Sequence, residues 1–198
     1  MSRRQSERSE ATRGELLRVA RELFSEPGYA ATPIEDVAER AGVTKGALYH
    51  HFRNKRELFE AVFEDIEQEL VDKVITAAAA GGTDVWKGLK LGVRAFLEAA
   101  LDPAVARIVL IDGPSVLGWE AWKEIDERYG FGITRASLEG AMQAGIIHKR
   151  PVDPLARLFL AALSEAAIQI ARAPDTKKAM KEMSDAVFTL LDSMRVKE

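Results

Sequence analysis

The chain has 198 residues, of which 47% are hydrophobic and 30% charged, and it contains no cysteine. This length and composition are typical of a folded protein with one sizeable domain, or with a small domain joined to a larger one. The absence of cysteine excludes disulfides, thiolate metal sites and cysteine nucleophiles. The polar N-terminal residues, and the lack of an apolar run near the ~20 residues that cross a bilayer, predict a cytoplasmic protein without a membrane segment.

The charges are unevenly distributed along a chain whose formal net charge is -3. Residues 1–56 contain 11 Lys and Arg against 8 Asp and Glu, whereas the remaining residues contain 17 against 23. A basic N-terminal quarter followed by an acidic body indicates a segment that faces a polyanion and a separate acidic module.

The first two predicted helices follow one another closely. Apolar residues at helical spacing between positions 16 and 24 predict a first helix, which a Pro-Gly pair at positions 27 and 28 ends. Thr32, followed by Pro33 and by Glu35 three residues later, predicts a capping box at the start of the second helix.

A tight turn separates the second predicted helix from a third. Gly42 ends the second helix, and Thr44 predicts the N-cap of a short helix from about residue 45 to residue 51. Asn54, with Glu57 three residues on, predicts the cap of a fourth helix. Two short helices joined by a glycine turn are typical of a helix-turn-helix.

The fourth predicted helix is long, and it contains the expected domain boundary. Its apolar residues between positions 58 and 74 continue into an alanine run, which Gly81-Gly82 ends. No Pro- or Ser-rich linker is present, so we place the boundary within this helix. The expected domains are residues 1–56 and residues 57–198.

The rest of the chain also shows helical spacing and no alternating strand pattern. We expect helices from about residue 84 to 100 and from about 119 to 144, with Gly113-Pro114 interrupting the apolar run between them. Two further helices carry apolar residues between positions 155 and 170 and between 180 and 194. The sequence therefore predicts an all-α fold.

The stretch VTKGALYHHFRNKRELF, residues 43–59, concentrates aromatic and basic side chains. A metal or catalytic role for His50 and His51 is one interpretation. Adjacent residues on a helix point about 100° apart, so the two rings cannot chelate one ion, and no acidic residue adjoins them. We therefore expect no metal, no cofactor and no catalytic residue here.

A nucleic-acid surface is the other interpretation of this stretch. The second helix of a helix-turn-helix enters the major groove and presents its N-terminal residues to base edges, while flanking groups contact phosphates. Lys45 is placed to reach a guanine edge or a phosphate, and Lys55 lies at a helix N-terminus suited to a phosphate. Leu48 and Phe52 are expected in the core. The predicted DNA-binding residues are Thr32, Thr44, Lys45, Gly46, Ala47, Tyr49, His50 and Lys55.

The first 65 or so residues resemble the DNA-binding domain of TetR-family transcriptional regulators. The landmarks that carry the resemblance are Ala20, Phe24, Gly28-Tyr29, Thr32, Ile34, Ala38, Ala41-Gly42-Val43, Gly46, Tyr49, Phe52, Lys55 and Leu58. The resemblance implies a three-helix DNA-binding domain, joined by a long helix to a ligand-responsive helical bundle. It also implies a homodimer in which the last two helices of each chain form a four-helix interface.

Two sets of residues in the second domain follow from these expectations. The last two helices have broad apolar faces, which either associate with a second copy or are buried within one chain. The residues expected at the dimer interface are Leu155, Leu158, Phe159, Ala162, Ala166, Met183, Val187 and Leu190. Aromatic side chains either line an effector pocket or fill the core, and Asp112 either caps a turn or anchors a polar ligand group. The candidate pocket residues are Trp86, Phe96, Ile111, Asp112, Trp119, Trp122 and Tyr129.

The function predicted is that of a sequence-specific DNA-binding transcriptional regulator, a repressor that a small hydrophobic effector releases from a palindromic operator. One alternative is an all-α carrier or enzyme for a hydrophobic ligand, but no His or Cys accompanies the carboxylates of Glu120, Glu124, Asp126 and Glu127. Another alternative is an interaction protein whose N-terminal helices bind a protein partner. Only the DNA binder is expected to lose affinity steeply as salt concentration rises.

Overall fold

A computed structural model describes residues 3–196 of the chain, and its side chains from residue 6 onward. The first four helices are α1 (Arg3–Ser25), α2 (Ile34–Arg40), α3 (Lys45–His51) and α4 (Lys55–Ala79). Their order and bounds confirm the predicted helix-turn-helix with a long helix after it.

The remainder of the described chain is also helical. It contains α5 (Val85–Ala99), a π-helical segment (Val105–Asp112), α6 (Gly113–Leu117), α7 (Trp119–Asp126), a second π-helical segment (Glu127–Phe131), α8 (Gly132–Gln143), α9 (Val152–Arg172) and α10 (Thr176–Ser193). Between residues 3 and 196 the only β pairing is an isolated bridge that joins Ile147 and Arg195. The all-α prediction is confirmed.

Internal contacts divide the chain into two units. The N-terminal unit comprises the chain up to Ile66 together with Pro103–Trp119, and the C-terminal unit comprises Glu67–Asp102 and the chain from Glu120 onward. The helical periodicity gave no indication that residues 103–119 belong with the N-terminal helices. The division expected after residue 56 stays a prediction.

An aromatic cluster holds the core of the N-terminal unit together. The ring of Phe59 in α4 lies 5.4 Å from the ring of Phe24 in α1 and 5.1 Å from that of Tyr29, measured between centroids. Such tilted and edge-on pairs add about 0.5–1.5 kcal/mol beyond the area that they bury. Leu48 and Phe52 are buried beside this core, as predicted, and so fix the orientation of α3.

The predicted capping role of Thr32 is wrong. Pro33 is the N-cap of α2, and no side chain caps that helix. The Thr32 hydroxyl lies 3.1 Å from the carbonyl oxygen of Leu23 and 2.9 Å from that of Gly28, and the residue is buried. The Thr32 hydroxyl is directed at these two carbonyl oxygens, and it accepts no hydrogen bond from the N–H groups of α2.

Residues 103–119 are fastened to the N-terminal unit by long-range polar contacts. The Asp112 carboxylate accepts a hydrogen bond from the Tyr29 N–H over 2.9 Å and another from Arg107 Nε over 3.2 Å. Arg56 donates to the carbonyl oxygen of Leu117 over 2.6 Å. Asp112 makes no side-chain capping bond to α6, so of the two roles considered for it, capping is wrong.

The Gly113-Pro114 pair interrupts the apolar run of the sequence but not the helical backbone. Gly113 keeps helical backbone angles, and the chain passes from the π-helical segment directly into α6, which ends at Gly118. A β-carbon on Gly113 would lie 2.5 Å from Cε2 of the buried Phe63 and 3.0 Å from the Ile108 carbonyl oxygen. The glycine therefore permits a close approach of this segment to α4.

Replacing Gly113 by alanine is expected to lower the free energy of unfolding by about 1–3 kcal/mol, because the added methyl group overpacks the Phe63 ring. Chemical denaturation followed by circular dichroism measures the change. Gly140→Ala in α8 is the control: its β-carbon would have no neighbouring heavy atom within 4 Å, so a gain of up to about 1 kcal/mol is expected. Equal stability of Gly113→Ala and the wild type would contradict the argument.

The C-terminal unit packs α9 against α10, α8 and α5. Of the residues expected at the dimer interface, three are buried within the protomer and serve its own core: Phe159, Ala166 and Val187. The assignment of these three to an interface is therefore corrected. Leu155, Ala162 and Met183 are half-buried, whereas Leu158 and Leu190 have exposed fractions of 72% and 49%.

By length and composition alone, α9 is apolar enough to cross a bilayer. Charged residues, among them Arg157 and Glu165, interrupt its apolar sequence, which is why no long uninterrupted run is evident. Its buried face belongs to the core of the C-terminal unit, and core helices pass the same test.

Candidate nucleic-acid interface and C-terminal cavity

The N-terminal end of α3 lies at the surface of the N-terminal unit. The Thr44 side chain accepts a hydrogen bond from the Ala47 N–H over 3.1 Å, which confirms the predicted N-cap. Gly42, in the turn before it, has a φ of +66°, a backbone conformation that favours glycine. Thr44, Lys45 and Gly46 are exposed. The start of α3 thus offers a short hydroxyl side chain, one flexible cation and bare backbone to a partner.

The buried Leu48 determines which residues of α3 face outward. Leu48 is 1% exposed, whereas the next residue, Tyr49, is 46% exposed. His50 is also exposed, and Ala47 is half-buried. The Tyr49 hydroxyl and the His50 ring therefore add hydrogen-bonding groups to the exposed polar atoms of Thr44 and Lys45.

Lys45 has an exposed ion-pair partner in the free protein. Its ammonium nitrogen lies 3.5 Å from Oε1 of Glu35 in α2, and both side chains are largely exposed. An exposed pair of this kind contributes at most about 1 kcal/mol and is weakened by salt. A DNA phosphate or guanine edge can therefore displace Glu35 at low cost.

His50 and His51 adjoin each other at the end of α3. Their ring centroids lie 5.4 Å apart at an interplanar angle of 73°. Burial, aided by His50 and Arg13, lowers the pKa of His51, which favours its neutral form. Throughout the described part of the chain, no group of three or more His, Asp and Glu side chains is arranged to hold a metal ion.

The start of α4 is capped as the sequence predicted. The Asn54 side-chain oxygen accepts from the Glu57 N–H over 2.9 Å, and the Glu57 carboxylate accepts from the Arg53 N–H over 2.8 Å. Lys55, the predicted phosphate contact, is half-buried, and its ammonium lies 4.2 Å from the centroid of the Tyr29 ring. Burial lowers the pKa of Lys55.

The structure brings most of the predicted DNA-binding residues together, but not all of them. Thr44, Lys45, Gly46, Tyr49 and His50 form one exposed surface on α3, and we call this set the α3 surface. Ala47 and Lys55 are half-buried. Thr32 is buried, and its hydroxyl is engaged with two backbone carbonyls, so its assignment as a DNA contact is corrected.

Sequence reasoning missed the support that Tyr29 gives to Lys55. A cation over an aromatic face is stabilised by the ring quadrupole by about 0.5–2 kcal/mol. Twenty-six positions separate the two residues in the sequence, so no local spacing signals the contact. Tyr29 is itself fixed by the hydrogen bond from its N–H to Asp112.

The C-terminal unit contains a cavity of about 610 Å³, within the range of about 300–1,000 Å³ that is typical of small-molecule sites. Side chains of α4, α5, α8 and α9 surround it, and most of them are apolar, such as Leu70, Val74 and Leu163. Its polar side chains are those of Glu67, Thr134 and Ser137.

Only Phe96, of the seven candidate pocket residues, is among the residues that line the cavity. Ile111, Asp112 and Trp119 belong to the N-terminal unit, and Trp86, Trp122 and Tyr129 lie in the C-terminal unit outside the cavity lining. Trp86 is 6% exposed and serves the core. These six assignments are corrected: the cavity is bordered mostly by smaller apolar side chains of α4, α5, α8 and α9.

Sequence reasoning also missed Glu67. It follows Phe63 by four residues and precedes Leu70 by three, so it lies on the apolar face of α4, where a carboxylate is unusual. Burial, together with the Asp126 carboxylate, raises the pKa of Glu67 from 4.5 to about 7. Burial also raises the pKa of Asp126 to about 6, although Arg157 opposes this change.

The chain combines a helix-turn-helix, whose second helix is exposed and capped, with a helical unit that contains an apolar cavity. This is the architecture of a DNA-binding transcriptional regulator. The family model described as "Bacterial regulatory proteins, tetR family" matches residues 16–62. The model described as "Tetracyclin repressor-like, C-terminal domain" matches residues 86–194. The chain belongs to the TetR family of transcriptional regulators.

Similar proteins include regulators from several bacteria. The Transposon Tn10 TetC protein of Escherichia coli is 30% identical over 155 residues, which cover 78% of either chain. The regulator TtgR of Pseudomonas putida is 36% identical over 110 residues, 54% of this chain and 52% of its own. A crystal structure of a TetR-family regulator from Pectobacterium atrosepticum superposes with a TM-score of 0.82 at 33% identity and covers 100% of this chain and 99% of its own.

Proposed function

We propose that this regulator is a homodimeric repressor, whose two α3 surfaces bind the half-sites of a palindromic operator. The observation that carries the proposal is the exposed start of α3. Thr44, Lys45 and Gly46 are exposed there, whereas Leu48 is buried and anchors the helix in the core. A recognition helix presents the same positions to base edges in the major groove. Tyr49 and Lys55 then supply contacts to the phosphates.

Dimerisation is typical of the family, and the outer faces of α9 and α10 suit it. Leu158 is exposed on α9 beside Ala161 and Ala162, and Leu190 is exposed on α10 one turn after Ala186. Exposed leucines flanked by small residues allow helices of two chains to pack closely. A two-fold axis through this face would give each dimer two recognition helices.

The C-terminal cavity is the proposed effector site. An effector that binds more tightly to a conformation unsuited to the operator shifts the population towards that conformation and so releases DNA. Helix α4 links the two functions within one element, because Lys55 stands in its first turn and Glu67, Leu70 and Val74 line the cavity.

Lys45→Ala is expected to weaken operator binding by about 1–2 kcal/mol and to relax base preference at one or two positions, since it removes a base-edge donor. Tyr49→Phe is expected to weaken binding to all sequences alike. Fluorescence anisotropy on operator duplexes, first selected from genomic fragments and then varied base by base, measures both effects.

Lys181→Ala is the matched control for Lys45→Ala. Lys181 forms an exposed ion pair with Asp185 on α10, at 3.2 Å, so the variant loses the same charge and a comparable pair without touching α3. The role of Lys45 is refuted if its variant keeps both wild-type affinity and wild-type base preference. Equal binding to selected and random duplexes at physiological salt would refute the regulator itself.

A further inference from the structure

The cavity in the C-terminal unit has one polar side chain that can carry charge. Glu67 lines it among apolar neighbours, whereas the other polar side chains there, Thr134 and Ser137, are neutral hydroxyls. The Thr134 hydroxyl donates its proton to the Gly130 carbonyl oxygen over 2.8 Å, so it is not available as a donor to a ligand. Glu67 therefore dominates the electrostatics of the cavity.

Within the described chain, no hydrogen bond or ion pair engages the Glu67 carboxyl. Its electrostatic neighbour is another acid, Asp126, which opposes its ionisation. Glu67 is half-buried, and a carboxyl that loses much of its water without gaining a partner is costly, more so when ionised. The free protein thus holds a polar group at the cavity whose partner must come from elsewhere.

Asp126 adds a second acid close to the same wall. A β-carbon placed on Gly130, which lines the cavity, would lie 3.1 Å from Asp126 Oδ1. The cation that acts on Asp126 is Arg157, whose guanidinium pairs with Glu127 at 3.0 Å and lies 4.2 Å from the centroid of the Phe131 ring. Arg157 lowers the pKa of Asp126, but it is not a cause of the shift at Glu67. Glu67 in the lining and Asp126 close to it therefore make the cavity complementary to a positively charged group.

These observations discriminate between classes of ligand. Above the pKa values of Glu67 and Asp126, a carboxylate or phosphate would bring a third negative group, which is repulsive in an apolar site. A purely apolar ligand would cover Glu67 and leave it without a partner. A protonated amine would give Glu67 a charge-assisted hydrogen bond while its apolar body fills the remaining volume.

We infer that the cavity selects an apolar molecule bearing a single protonated amine, which pairs with Glu67 while its hydrocarbon part contacts Leu70, Val74 and Phe96. This inference rests on the proposed role of the cavity as the effector site. It specifies the chemistry of the effector, which the proposed function leaves open.

The test uses octylamine, octanol and octanoate, which share one chain length and differ in head-group charge. Isothermal titration calorimetry of the full-length protein at pH 8 is expected to show octylamine binding about tenfold more tightly than octanol, with octanoate the weakest. At pH 6, octylamine binding is expected to release up to about one proton, since Glu67 must ionise to pair with the amine. Titration in buffers of different ionisation enthalpy measures that release.

Glu67→Gln keeps the size of the side chain and removes its charge. It is expected to abolish both the tenfold preference for octylamine and the proton release, while octanol affinity stays within about twofold of wild type. Glu98→Gln, at an exposed position of α5 outside the cavity lining, is expected to retain both. Octanoate binding as tightly as octylamine, an unchanged amine preference in Glu67→Gln, or no binding of any probe would each overturn the inference.

Operator release is measured separately, by anisotropy of a labelled operator duplex titrated with octylamine. A Glu67-dependent amine preference without release would support the inference and overturn the effector role of the cavity. Release by octanol and octanoate as effectively as by octylamine would support the effector role of the cavity and overturn its selectivity for amines. The two proposals therefore fail in different ways.

Discussion

Replacing Leu158 and Leu190 together by glutamate is expected to make the protein monomeric and to weaken operator binding by about 100- to 10,000-fold. Both leucines are exposed on the outer face of α9 and α10, so the change does not disturb the core of the protomer. Glutamates facing one another across a two-fold axis repel, and their desolvation is costly. The loss of affinity has the size expected when two linked binding events become independent.

Light scattering coupled to size-exclusion chromatography measures the mass, and anisotropy measures binding to a complete operator and to a half-site. Leu101→Glu is the control, because Leu101, at 51%, is about as exposed as Leu190 and lies in the turn after α5, outside the α9–α10 face. A double variant that remains dimeric would exclude this face as the interface. Half-site affinity is expected to stay close to that of the wild type.

Glu67→Gln is expected to raise the free energy of unfolding by about 1–3 kcal/mol at pH 8 and by little near pH 4.5. The folded-state pKa of about 7 exceeds the ordinary value of 4.5, so the folded protein binds the proton more tightly than the unfolded chain does. The wild type therefore loses stability as pH rises between these two values, at about 1.4 kcal/mol per pH unit. Glutamine cannot ionise, so the variant avoids this loss.

Urea denaturation at several pH values and one fixed protein concentration measures the profile. The pKa of Asp126 is raised to about 6, so its ionisation lowers the stability of both proteins by a smaller amount as pH rises. Glu98→Gln controls for the removal of one negative charge from an exposed site. If the profiles of Glu67→Gln and the wild type ran parallel from pH 5 to 8, burial of Glu67 would not limit stability.

The parts of the fold that the sequence predicted correctly are governed by short-range rules. The caps at Thr44 and Asn54 each join residues three positions apart, and the Gly42 turn depends on one backbone angle. Periodicity likewise identified the apolar faces of the helices. All of these features are set within one or two helical turns, so composition and spacing are sufficient to predict them.

The errors concern contacts between distant parts of the chain. Thr32 had the right spacing for a cap, but the preceding turn places two carbonyl oxygens within reach of its hydroxyl. Asp112 bonds to a backbone 83 positions away. The cavity poses the same difficulty, because periodicity shows which face of a helix is apolar but not where facing helices leave a space. The carboxylate of Glu67 on an apolar face was the one available signal.

The attachment of residues 103–119 to the N-terminal helices has a consequence for domain exchange between regulators. Asp112 holds the backbone of Tyr29, and the Tyr29 ring supports the ammonium of Lys55. A chimaera that transplants only the N-terminal 66 residues would leave the Tyr29 N–H without its acceptor and Arg56 without the Leu117 carbonyl. The transferable DNA-binding module of this protein is therefore discontinuous in sequence, and specificity grafts must include both of its pieces.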